Sequence, residues 1–326
     1  MKVVRVTITA LLAIALASIA PAALAQVSFP TRTIRIIAPV PPGSPPDIVA
    51  RIIAEQLSRD FGQPVIVENH PGGNQTIGLG LVVAAAPDGL TLGMVSLPTA
   101  VVPNIMRSMP FDTMRDLAPV REIAWTSNVL VVGSTSDIGS VRDLIAKAKA
   151  RPGMITFASG GNGTPAHVIG ELFRHAAGLD LLHVPFRGAV EGVSAVVGGH
   201  VDAMFASAGA VEGQVRAGKL KALAQTTATR LPGFEGVPTL IELGFPEIAV
   251  RDWQGIVAPV GTPALVLKQL STAIGQVLSR QETKDRVRSL AVYAVEESDP
   301  QAFSRFMASE LRRWAAVAKV ANLQAE

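Results

Sequence analysis

Apolar residues recur in short runs, and amphipathic stretches of helical spacing separate them. Thr33-Ile34-Arg35-Ile36-Ile37-Ala38 reads as a strand, and Ile48, Val49, Ile52, Ile53 and Leu57 follow at the spacing of one helix face. Further strand-like runs stand at 65–67, 92–95, 129–132, 155–157 and 201–205. Ser140-Val141-Arg142-Asp143 has the form of a capping box, opening a helix that runs to Ala150 and stops before Arg151-Pro152-Gly153. This alternation predicts βαβ units and mostly parallel sheets. The rhythm is interrupted around 121–128 and again around 225–255, where three proline turns cluster. Two crossings of this kind imply a discontinuous first domain, residues 26–124 with 250–326, and a second domain, 125–249, inserted into it.

Two strand-to-helix loops carry the candidate chemistry. ASGGNGTPAH, residues 158–167, has three glycines and no charge before His167. Thr164 followed by Pro165 reads as an N-cap with proline at the first helical position. The free N–H groups of such a helix start, together with its dipole, favour an anion. PVPPGSPPD, residues 39–47, is similar: Ser44 is the expected cap, Pro45 the first helical residue, and Asp47 is placed to reach back to the N–H of the cap. Ligands of open parallel sheets bind beyond the carboxyl ends of strands. If both loops face one cleft, they form uncharged cradles suited to a carboxylate that must be released again. Asp47 reads more readily as a cap than as a ligand contact, and Arg187 is the best charged candidate for the cleft.

Composition narrows the classes. Lys2 and Arg5 precede an apolar run from Ile8 to Ala20, and Ala23-Leu24-Ala25 has the small-x-small form of a cleavage site, so export with cutting before Gln26 is expected. The chain has 29 basic and 26 acidic residues; loss of Lys2 and Arg5 leaves 27 against 26. No basic stripe remains, which argues against nucleic acid. There is no cysteine, so thiol nucleophiles, thiolate metal sites and disulfides are excluded.

Enzyme motifs are sparse. His167, Glu171 and His175 are spaced by four, but Ile169, Leu172, Phe173 and Ala176 supply the buried stripe, so the His-Glu-His row is expected to face solvent without a metal. Neither an HExxH, a G-x-S-x-G elbow nor a phosphate-loop G-K-[ST] occurs. Ser159 is the nearest imitation of a hydrolase nucleophile. His70, His183 and His200 read as structural. No cofactor is indicated.

PPGSPPDIVAR, FGQPVIVEN, AAPDGLTL, ASGGNGTPAH, HVPFRG, GGHVDAMF, AGKLKALA and GIVAPVGTP occur in that order over nearly all the chain. This ordered set closely resembles the Bug/TctC family of periplasmic solute-binding receptors of tripartite tricarboxylate transporters. The resemblance implies a two-domain α/β fold of the type II-like Venus-flytrap kind, a cleft that closes on a small organic acid, no catalysis, and delivery to a membrane permease of a large and a small subunit. Feeding a sensor protein is the alternative binding role. The protein is expected to be a periplasmic monomer. Carried onto this chain, the family's ligand-holding positions are Pro41, Pro42, Gly43, Ser44 and Asp47 in the first loop, and Ser159, Gly161, Asn162, Gly163, Thr164 and His167 in the second. Phe186, Arg187, Gly188 and Asp202 match further motifs near the cleft, and Ser96 and Thr99 stand in the segment expected to face the distal part of the ligand. Ser44 and Pro46 replace residues usual in the family, which stiffens the first loop. Ala206-Ser207-Ala208 is less polar than usual, which suggests an apolar or aromatic distal group.

Overall fold

A computed structural model describes residues 29–320; the expected leader and its cleavage site lie outside the described residues. In chain order the elements are β1 (Ile34–Ala38), α1 (Pro45–Phe61), β2 (Val65–Asn69), a 3-10 turn (Gly73–Gln75), α2 (Thr76–Val83), β3 (Thr91–Ser96), α3 (Leu97–Val101), α4 (Thr113–Asp116) and β4 (Leu117–Gly133). There follow α5 (Val141–Ala150), β5 (Ile155–Ser159), α6 (Pro165–Ala176), β6 (Leu181–Pro185), α7 (Ala189–Val197), β7 (Ala203–Ser207), α8 (Ala208–Arg216) and β8 (Leu220–Gln225). The chain ends with β9 (Arg251–Pro259), α9 (Ala264–Ser279), α10 (Gln281–Arg288), β10 (Val292–Ala294) and α11 (Pro300–Val320).

The strands form two sheets that share β4. In the first the order is β2-β1-β3-β9-β4, with β10 added to β4; in the second the carboxyl half of β4 pairs with β7 and β8, and β5 and β6 follow beyond β7. Parallel ladders occur where the sequence predicts βαβ units, at β1–β2, β1–β3, β5–β6 and β5–β7. Each pairing of β4 or β9 is antiparallel, so the sheets are mixed rather than mostly parallel.

The expected interruption at 121–128 is corrected: these residues lie inside β4, a continuous strand of 17 residues. Arg121, Glu122, Ser127 and Asn128 disguise it as a loop, yet all four are buried. The strand continues because its backbone pairs with β9 up to Ser127 and with β7 from Asn128 onward. The second interval behaves as expected, being irregular between Gln225 and Arg251 except for a 3-10 turn at Pro246–Ile248.

Packing follows the apolar periodicity. α1 buries Val49, Ile52, Ile53 and Leu57, and ends at Gly62 in the left-handed conformation. Trp253 on β9 and Trp314 on α11 are fully buried, and both indole N–H groups donate to Glu310 Oε2, at 3.0 and 3.2 Å. The edges of Phe303 and Phe306 pack on Trp253.

Candidate functional site

The carboxyl ends of β1, β3, β5 and β6 carry the residues singled out by the sequence, apart from Asp202. After β1, Gly43 has φ +77° and its N–H donates to Asp47 Oδ2 at 2.8 Å. Ser44 Oγ donates to Pro41 O at 2.7 Å, and Ile48 N–H closes the first helical turn on Ser44 O at 3.0 Å. The expected capping box is therefore corrected. Ser44 sits at the cap but its hydroxyl bonds backward, and Asp47 reaches one residue beyond the cap. Asp47 is buried, and it is also bonded by Arg51 Nε and by Asn69 Nδ2 at 2.8 Å. Burial pushes its carboxyl upward, but the Arg51, Asn69 and Gly43 donors outweigh that and hold it below the usual aspartate value. Asp47 is the internal brace of its loop.

The second loop repeats this plan. Gly163 has φ +77° and its N–H donates to His167 Nδ1 at 3.1 Å. Thr164 Oγ1 donates to Gly161 O at 2.7 Å, and Val168 N–H closes the turn on Thr164 O at 3.1 Å. Pro41, Gly43, Ser44, Pro45 and Asp47 thus correspond in role to Gly161, Gly163, Thr164, Pro165 and His167. Prolines remove N–H donors unequally. In α1 both Pro45 and Pro46 lack one, which leaves the Asp47 N–H as the single donor without a helical acceptor; in α6 the Ala166 and His167 N–H groups are both free of helical acceptors.

Behind the second loop lies a stack of two histidines. Ser159, fully buried, has its Oγ 2.7 Å from His183 Nε2 and accepts the Gly161 N–H at 3.0 Å. His183 stacks on His167 with ring centroids 4.3 Å apart, and on Phe157 at 4.9 Å. Burial pushes both imidazoles down to about 4, and for His167 the neighbouring His183 and Arg174 push the same way. Both rings are neutral at physiological pH, and His167 Nδ1 is an acceptor. The row His167, Glu171, His175 is corrected: His167 and Glu171 are buried, Glu171 pairs with Arg174 at 2.8 Å, and only His175 is exposed.

The remaining candidates divide. Phe186 donates its N–H to Ser159 O at 2.9 Å, and a methyl placed on Gly160 would meet the Gly188–Ala189 backbone, so the segment 186–188 lies against the glycine-rich loop. The Arg187 side chain is exposed. Ser96 and Thr99 are buried: Gln75 Nε2 donates to Ser96 Oγ at 2.6 Å and Thr99 Oγ1 donates to Gln75 Oε1 at 2.9 Å. Asp202 is corrected as a cleft residue. It precedes β7 and its carboxylate accepts from Thr156 N–H and Oγ1, at 2.8 and 2.7 Å, at the amino end of β5. The length of a five-residue strand, roughly 15 Å, separates it from the glycine-rich loop.

Several contributors were not singled out from sequence. Gly72, Gly73, Asn74 and Gln75 have positive φ in succession, 114°, 54°, 49° and 78°. For Asn74 and Gln75 this costs on the order of 1–2 kcal/mol each. The strain points Gln75 at Ser96 and Thr99 and brings Asn74 toward the second loop, where a methyl on Gly163 would lie 3.4 Å from Asn74 Nδ2 and 3.1 Å from Ile105 Cδ1. Pro71-Gly72-Gly73 was the available signal. A cavity of about 370 Å³ is lined by Trp125, Thr226, Arg251, Phe306 and Arg313 among others, and by none of the candidate residues. No cluster of metal-ligating side chains occurs among the described residues, and no helix there is long and apolar enough to cross a membrane.

Comparison with known proteins places the fold and the family. Protein BugT of Bordetella pertussis is 35% identical over 296 residues, covering 90% of each chain. The solved periplasmic binding protein BugD superposes with a TM-score of 0.81 at 26% identity, over 91% of this chain and 100% of that one. An R. palustris protein solved with adipate superposes with a TM-score of 0.83 at 29% identity, over 91% and 99%. MatC from Rhodopseudomonas palustris, solved with malate, gives 0.80 at 27% identity, over 89% and 99%. These neighbours are solute-binding proteins rather than enzymes, and they share the α/β periplasmic binding protein fold. The sequence model of the tripartite tricarboxylate transporter family receptor matches residues 49–323, and the chain belongs to that family.

Proposed function

We propose that this protein captures a small organic carboxylate between the loops that open α1 and α6, and delivers it to a membrane permease of a large and a small subunit. The observation that carries the reading is the start of α6. Two backbone N–H groups without helical acceptors stand at the positive end of a helix dipole, above a histidine that burial keeps neutral. No fixed cation lies in this loop, so the anion is held by geometry and released when the halves part.

The two sheets supply the moving bodies. Domain 1 is residues 26–124 with 250–326, and domain 2 is 125–249; they rotate about the paired crossings of β4 and β9. Binding stabilises the closed form by contacts that only that form makes. The leader is cut between Ala25 and Gln26, and the mature receptor works in the periplasm as a monomer. The carboxylates seen with the adipate and malate neighbours support the ligand class.

The test is a thermal-shift screen of protein beginning at Gln26 against mono-, di- and tricarboxylates and their neutral amides. Saturation at about 100 times Kd adds about 2.7 kcal/mol, so a shift with an acid and none with its amide is expected. Equal shifts with acid and amide would refute carboxylate recognition.

A further inference from the structure

Strands β4 and β9 carry several buried polar atoms without hydrogen-bond partners, among them Asn128 Nδ2 on β4 and Asp252 Oδ1 and Gln254 Oε1 on β9. Asp252 lies across from Thr126 on β4, two residues before Gln254, which is paired with Ser96 at the carboxyl end of β3. Asp252 therefore stands beyond the end of β3, toward the second sheet. Side chains alternate along β9. Trp253 points at α11, where it bonds Glu310, so Asp252 and Gln254 point to the opposite face. Ile256 shares that face, and its β4 partner Arg121 donates to Ser271 O of α9 at 3.3 Å. Arg280, at the end of α9, bonds Gln56 of α1 at 2.8 Å. The face is thus the one covered by α1 and α9, and the start of α1 is the first candidate loop.

One side of the Asp252 carboxyl faces the Leu97 N–H at the start of α3. Its Oδ1 is out of reach of solvent and makes no hydrogen bond. Burial pushes the acid up to about 7 against the opposing Leu97 N–H, and no charged side chain contributes. On β4, two residues past Thr126 and on the same face, Asn128 is paired with Ser207 at the carboxyl end of β7. Its Nδ2 is likewise buried without a partner. Two acceptors, Asp252 Oδ1 and Gln254 Oε1, and a donor, Asn128 Nδ2, therefore stand on one face, and Asp252 and Asn128 are the two that lie between the carboxyl ends of β3 and β7. Leaving such a pair unmet disfavours the empty site. Diagonal neighbours of this kind have Cα atoms about 7–8 Å apart, and two hydrogen bonds through one oxygen span roughly 5.5 Å.

We infer that Asp252 and Asn128 form the polar distal end of the binding site, and that the solute is a hydroxylated carboxylate whose hydroxyl donates to Asp252 Oδ1 and accepts from Asn128 Nδ2. This rests on the carboxylate reading above and names its ligand class. A hydroxyl is both donor and acceptor. An ammonium offers nothing to Asn128, and a second carboxylate offers no donor to an ionised Asp252. The apolar distal group suggested by Ala206-Ser207-Ala208 is replaced by a polar one, because the polar residues come from the crossing strands instead.

The test is calorimetric titration, at neutral pH, of protein beginning at Gln26 with matched acids: malate and succinate, lactate and propionate, 3-hydroxybutyrate and butyrate. In at least one pair the hydroxy acid binds about tenfold or more tightly than its deoxy partner. Asp252→Ala and Asn128→Ala each reduce that preference to about threefold or less. Equal binding within each pair overturns the inference and leaves carboxylate capture standing, as does a preference that survives both substitutions. If no acid of either kind binds, carboxylate capture fails and the hydroxyl assignment with it. Equal wild-type binding within each pair overturns the inference even where a variant does not fold, and Asp252→Asn, which keeps the shape of the side chain, serves as the gentler variant.

Discussion

At the start of α1 and at the start of α6 the chain makes the same hydrogen bonds with different side chains. A glycine at φ +77° gives its N–H to the residue four positions on; a hydroxyl at the cap bonds the carbonyl three positions back; a proline occupies the first helical position. In the first loop the acceptor is Asp47, an anion matched by Arg51 one turn later. In the second it is His167, uncharged, with Glu171 one turn later. The plan thus fixes the backbone in both places, while the brace decides the electrostatics. The first loop is closed on its own charges and presents one free helical N–H. The second presents two, over a neutral ring.

The largest expected effect comes from breaking the second loop's backbone. Gly163→Val forces a side chain into a left-handed conformation against Ile105, and should cost about 2–4 kcal/mol in a urea melt. A Cβ added at Gly43 meets no atom within 4 Å, so Gly43→Ala should cost the backbone strain alone, about 1–2 kcal/mol. Equal losses at the two glycines would mean that the second loop has no tight neighbour.

Exchanging the braces sharpens the electrostatic contrast. His167→Asp places a carboxylate one turn from Glu171 and directly below the free N–H groups, and should weaken carboxylate binding by about tenfold or more in calorimetry. Asp47→Asn keeps the shape, removes the partner of Arg51, and should cost about 1–3 kcal/mol of stability with binding changed by less than about threefold. If Asp47→Asn damaged binding more than stability, Asp47 would be a ligand contact rather than a brace.

The two loops should also fail in different acid ranges. His167 and His183 have folded-state values lowered to about 4 from an ordinary 6.5. Their neutral forms support the fold fully above pH 6.5, and that support is lost as the pH falls from 6.5 through 4. Asp47 is lowered from 3.8, so its contribution is present above 3.8 and lost below it. A profile of Tm against pH should therefore decline in two steps, and His183→Phe should flatten the upper one. The smallest effects are expected at the cap hydroxyls: Thr164→Val and Ser44→Ala each remove one hydrogen bond, about 1 kcal/mol.

Much of this was legible in sequence because it is local. Glycine, a hydroxyl and proline in tandem specify a strand-to-helix loop, and both loops were found that way. What escaped depends on residues distant in the chain. Ser159 meets His183 across a parallel ladder, and Gln75 reaches Ser96 and Thr99 only through two non-glycine residues held at positive φ. The continuity of β4 is supplied by β9, more than a hundred residues later, so Arg121 to Asn128 looked like a break. Asp202 was misplaced because a motif names a strand without saying which end of it faces the ligand. Asp252 and Asn128 belong to no motif; pairing at the crossing is what puts them on one face.

The crossing also contains an optical gauge. Trp125 on β4 lies flat against Tyr293 of β10, the sole tyrosine, with ring centroids 4.6 Å apart. The other two tryptophans, Trp253 and Trp314, are sealed in the core with their N–H groups on one carboxylate. Their emission is a constant background. Any twist of β4 relative to β10 changes the overlap of a single emitting pair, so the unlabelled protein registers movement at that point as a change of its own fluorescence.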